Sequence, residues 1–62
     1  MKLTVRTADG GRLQIKDFDA QSALDLTEAL TSGDQQFLTF DLDDGDTTLI
    51  NRDQIVRVDI DG

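Results

Sequence analysis

Cysteine and histidine are both missing from the 62 residues, and so are tyrosine and tryptophan. Without thiol or imidazole there is no disulfide framework and no structural zinc site, the usual supports of a chain this short. The same absences remove most side chains that serve as nucleophile or general base. Ser22 and Ser32 read as helix-end residues, and paired aspartates on a solvated turn lack the burial that raises a carboxyl pKa. The expectation is a non-catalytic chain with no cofactor and no metal. No apolar run approaches the roughly 20 residues of a membrane span. No basic head followed by an apolar run marks a leader, so a cytoplasmic location without membrane contact is expected.

Positive charge is scarce beyond the first quarter. Residues 1–16 hold Lys2, Arg6, Arg12 and Lys16 against Asp9 alone, whereas residues 17–62 hold Arg52 and Arg57 against twelve acids. A formal charge of −7 repels phosphate backbones, so direct nucleic-acid binding is not expected. Nearly all the acids are aspartate, a turn and cap former, with Glu28 as the only glutamate.

What is present is alternation. Lys2–Thr7 sets Leu3 and Val5 on one face, and Arg12–Phe18 does the same with Leu13 and Ile15. For these faces to coincide, the loop Ala8-Asp9-Gly10-Gly11 must hold an odd number of residues, with a glycine in the left-handed position. Gly10 there places Val5 opposite Leu13, and Gly11 would place it opposite Ile15. Either way Lys2, Arg6, Arg12 and Lys16 share the opposite face, a patch suited to an acidic partner.

Asp19–Gly33 reads as the one helix, with Asp19 as N-cap, Ser22…Asp25 as a capping box one turn later and Gly33 as C-cap. Its apolar stripe is Ala23, Leu26, Thr27 and Leu30 with Leu24 at the edge. Phe37–Ile60 carries three apolar runs separated by turn formers and predicts a three-strand meander. A two-residue turn at Asp44-Gly45 places Phe40 opposite Leu49. A three-residue bulged loop at Asp43-Asp44-Gly45 places Leu38 opposite Ile50 and Phe40 opposite Thr48. In the last strand Val56, Val58 and Ile60 are expected inward and Arg57, Asp59 and Asp61 outward, after a single helical turn over Asn51–Gln54. The whole is one domain of the α+β class, ββαβββ, a curved antiparallel sheet with one helix packed on it.

A helix covers one face of a sheet, so Phe37 and either Leu49 or Ile50 are left on the other, where uncovered apolar side chains mark a contact surface. A chain this short buries only about 60% of its unfolded surface, which favours association for stability. The expectation is therefore a protein-interaction module that pairs with itself as a homodimer or with another protein. The acidic composition also suits an inhibitor that presents carboxylates in place of phosphates to a nucleic-acid enzyme. Asp41-Leu-Asp43-Asp-Gly45-Asp46 echoes the start of a calcium loop, but glycine falls one position early and Arg52 stands where a bidentate glutamate is needed. Turn-forming aspartates are the better reading.

The tail Leu49-Ile50-Asn51-Arg52-Asp53-Gln54-Ile55-Val56-Arg57-Val58 resembles the endings of many small uncharacterised bacterial and phage proteins. One actinobacterial family of unknown function is similar in its strand pair, its Gln-Ser-initiated helix (here Gln21-Ser22) and this ending. The resemblance implies a small cytoplasmic or phage accessory domain and no catalytic residues.

Overall fold

A computed structural model describes all 62 residues. The order is ββαβββ: β1 (Lys2–Thr7), β2 (Arg12–Ile15), α1 (Ala20–Thr31), β3 (Phe37–Asp41), β4 (Thr47–Asn51) and β5 (Ile55–Asp61), with a 3-10 turn at Arg52–Gln54 before β5. The strands form two antiparallel sheets instead of one. The first has the order β2-β1-β5 and the second is the β3-β4 hairpin.

Both hairpins close by the same device. Thr7 N–H donates to Gly11 O at 3.0 Å and Gly10 N–H to Thr7 O at 3.0 Å. Thirty-five residues on, Leu42 N–H donates to Asp46 O at 2.7 Å and Gly45 N–H to Leu42 O at 3.1 Å. Gly10 and Gly45 each have φ +91°, a region that L side chains rarely enter. An aspartate precedes each glycine and accepts from the backbone two residues on, Asp9 from Gly11 N–H at 2.9 Å and Asp44 from Asp46 N–H at 3.0 Å. These loops fix the registers: Val5 opposite Leu13 and Leu3 opposite Ile15 in one, Leu38 opposite Ile50 and Phe40 opposite Thr48 in the other.

The predicted meander does not form, because β5 leaves β4 and pairs with β1. The 3-10 turn redirects the chain. Asn51 caps it by accepting from Asp53 N–H at 3.0 Å, and Ala8 N–H then takes Gln54 O at 2.8 Å, which draws β5 alongside β1. A bulge between Arg57 and Ile55 lets Ile55 oppose Thr7. Ile55 thereby reaches the core margin, and Val56, expected inward, is left 65% exposed. Val58, opposite Val5, packs against the core as expected, while Ile60 lies at its rim.

The core lies between the two sheets. Leu3, Val5 and Ile15 come from the first, Leu38 and Phe40 from the second, and Leu26 of α1 closes one side. Each of these six side chains contributes about 1.5–3 kcal/mol by burial. The buried stripe of α1 runs through Leu26, Ala29 and Leu30, so Thr27 faces solvent and its hydroxyl donates back to Ala23 O at 2.9 Å. Asp19 caps the helix as expected, accepting from Ser22 N–H at 2.7 Å. At the other end the C-cap is Ser32, one residue before the position expected. Gly33 follows it because an added Cβ would stand 2.7 Å from Ala29 O. The Gly33 carbonyl accepts from the Arg52 guanidinium, which pins the end of α1 to the 3-10 turn.

Candidate interaction surfaces

The outer face of the first sheet gathers the basic residues by register. Arg12 lies opposite Arg6, and Arg6 lies opposite Arg57, so three guanidinium-bearing residues form one row across β2, β1 and β5. The next row on that face is Gln14, Thr4 and Asp59, and beyond it Lys2 lies opposite Asp61. Like charges on neighbouring strands are destabilising unless something neutralises them. The only ion pair in the chain is Arg57 with Asp59, at 3.0 Å along the same strand and open to solvent, which contributes less than about 1 kcal/mol. Arg6 and Arg12 have no carboxylate partner.

Of the four basic residues singled out from the sequence, Lys2, Arg6 and Arg12 therefore lie together. Lys16 falls one residue past β2, where its N–H donates to Asp43 Oδ2 at 2.9 Å, and it borders a shallow recess with Asp41 and Asp43. Arg57, which sequence reasoning left out of the patch, completes the row. Its place there depends on β5 pairing with β1, for which the local pattern carries no signal.

The outer face of the second sheet is apolar at its centre. Thr39 pairs with Leu49 and Phe37 with Asn51, so Phe37 and Leu49 are diagonal neighbours on one face. They are 54% and 61% exposed, and no element covers them. Ile50 turns the other way, opposite Leu38, and packs against the core. The choice between Leu49 and Ile50 that the sequence left open is thus made by the bulged loop. Beside Phe37, the Gln36 side chain donates to Asn51 Oδ1 at 2.6 Å and to Asp53 Oδ2 at 3.1 Å, which gives the apolar pair a fixed polar border.

Most of the tip aspartates have structural tasks. Asp41 Oδ1 accepts from the Thr47 hydroxyl at 3.0 Å, Asp44 closes its own turn, and Asp43 reaches across to Lys16 and Asp17. No three carboxylates stand close enough to hold one metal ion. Hydrogen bonds hold two other aspartates below the ordinary carboxylate range. For Asp9 the donors are the Thr7 hydroxyl, at 2.6 Å, and then Gly11 N–H. For Asp19 they are the hydroxyl and N–H of Ser22. A recess of about 450 Å³ between α1 and β3 has an apolar floor that includes Leu26, Leu38 and Phe40 and carboxylates at Asp17, Asp19, Asp25 and Asp41. No buried charge lies in it.

Compared with protein-family models, curated proteins and solved structures, the chain matches none. No helix is long and apolar enough to cross a membrane.

Proposed function

We propose that this chain is a small non-catalytic module of the cytoplasm that acts by protein contact and associates with itself. The observation that carries the reading is the uncovered pair Phe37 and Leu49, adjacent on a sheet face that nothing in the fold packs against. Adjacent exposed apolar side chains of this size belong to contact surfaces more than to solvent. A core of six buried residues adds support, since association supplies burial that the chain cannot supply alone. The missing histidine, cysteine and tyrosine, and carboxylates that are occupied by turns and caps, favour binding over catalysis.

The test is molar mass by light scattering over a concentration series, at low and high salt, for the wild type and Phe37→Asp. The expected result is salt-resistant self-association whose mass falls in Phe37→Asp without loss of its far-UV spectrum. A variant that keeps both its mass and its fold removes Phe37 from the self-contact. A wild type that stays monomeric throughout turns the reading toward a foreign partner.

A further inference from the structure

The edge strand β5 carries a second contact surface, and its sequence is complementary to itself. Thr7 N–H donates to Gly11 O, so the ladder between β1 and β2 uses the odd-numbered residues of β1. The even-numbered ones, Lys2, Thr4 and Arg6, turn their N–H and C=O groups toward β5. On β5 these meet Asp61, Asp59 and Arg57, which leaves the backbone groups of Val58 and Ile60 pointing away from the sheet. None of the backbone bonds outside the ladders involves residues 56–61, and β5 is the last strand of its sheet. An unpaired edge of this kind, rich in β-branched residues, is a template for another strand.

We infer that β5 pairs antiparallel with β5 of a second copy of this chain about a two-fold axis through Val58, so that two three-stranded sheets join as one of six strands. In that register Arg57 of each copy lies opposite Asp59 of the other, and Val56 lies opposite Ile60. The arrangement meets two demands of the single chain. The row Arg12–Arg6–Arg57, which is like-charged and ends at an open edge, continues into a carboxylate. The exposed side chains Val56 and Ile60 cover each other, and no local contact covers Val56 otherwise.

Other registers fail on charge or on face. An axis through Arg57 sets arginine against arginine, and one through Asp59 sets aspartate against aspartate. An axis through Ile60 sets Asp59 against Asp61, and any axis between two residues sets outward side chains against inward ones. The bulge at Val56 lies at the start of the strand, clear of the three central pairs. Exposed ion pairs add little affinity, so Arg57 and Asp59 select the register while backbone bonds and the Val56–Ile60 contact hold it.

The inference rests on the reading of the chain as self-associating and names the surface, on a different sheet from Phe37. The experiment is light scattering on Arg57→Asp, on Asp59→Arg and on their equimolar mixture, with Phe37→Asp alongside. Each charge variant alone faces like charges across the axis and is expected to dissociate at concentrations higher by about tenfold or more. The mixture restores opposite charges at both positions between unlike chains and is expected to dimerise again. The ion pair within each chain is not restored by mixing, so recovery reports on contact between chains. Charge variants that stay dimeric while Phe37→Asp is monomeric overturn the β5 pairing and leave the self-association reading intact. Charge variants that fall apart and are not rescued by mixing also overturn it. A wild type that is monomeric at every concentration overturns both.

Discussion

The Asp43 carboxylate accepts the N–H of Lys16 at 2.9 Å through one oxygen and that of Asp17 at 3.3 Å through the other, 27 and 26 residues away in sequence. A turn residue of the second hairpin thereby ends the last strand of the first. β2 stops at Ile15, and the N–H groups of the next two residues turn to this carboxylate. The two sheets share no ladder, so this side chain is one of the few polar ties between them.

Asp43→Ala is expected to cost about 1–2 kcal/mol, the value of a bond to a charged group plus a stranded donor, discounted for solvent access. Asp43→Asn keeps one acceptor and should cost less. Urea titrations of the three proteins decide it, and equal midpoints would mean that water replaces the carboxylate at no loss.

Gly45 stands in open space, with nothing within 4 Å of an added Cβ, so alanine there meets no clash and reports conformation alone. Gly45→Ala should lose about 1 kcal/mol, and Gly45→Asn less, since asparagine tolerates the left-handed region. A chemically synthesised chain with D-alanine at the same position should match or exceed the wild type in thermal stability. Should the D and L forms melt alike, the bulged loop would not be the constraint that sets the Leu38–Ile50 register.

Asp9 and Asp19 bear on acid stability, and the sign is fixed by their hydrogen bonds. Both are held below the ordinary value in the folded chain, so on acidification the unfolded chain takes up these protons first. Their contribution is fully present above the unfolded value, near pH ~4, and is lost as pH falls through the lower folded values. Asp9→Asn with Asp19→Ser keeps an acceptor at each place but nothing that titrates. The fall in melting temperature between about pH 5 and about pH 2.5 should therefore be smaller in the double variant. An unchanged slope would assign the acid sensitivity to other carboxylates.

Local chemistry was readable wherever a residue acts on its near neighbours. Asp19 caps α1, the glycines mark both hairpin loops though not which register each takes, and alternation placed Leu3, Val5, Leu38 and Phe40 inward, as found. What escaped were the relations that join distant segments. The pattern of β5 is the same whether it lies beside β4 or β1, so neither the Arg6–Arg57 pairing nor the bulge that exposes Val56 could be read from it. Asp43 looked complete as a turn former and gave no sign of its reach to β2. On α1, Thr27 and Ala29 compete for the buried stripe, and it is Ala29 that packs against the core while Thr27 is exposed. Phe37 was visible as a misfit in an alternating pattern and Leu49 only as one of two candidates with Ile50, whereas Arg57 became part of the basic face only once the strands were ordered.

The pairing of the first strand with the last also governs how the molecule comes into being. Leu3 and Val5 are sealed on one side by the neighbouring hairpin strand and on the other by Ile60 and Val58. During synthesis the early hairpin therefore waits, with one margin open, until β5 has emerged. Completion is a closing of the circle, and its rate is set by the longest loop in the chain more than by any local turn. A linker that joined the two strands and a cut opened in the Asp43–Gly45 tip would give a permuted chain with the same interior and a different order of assembly.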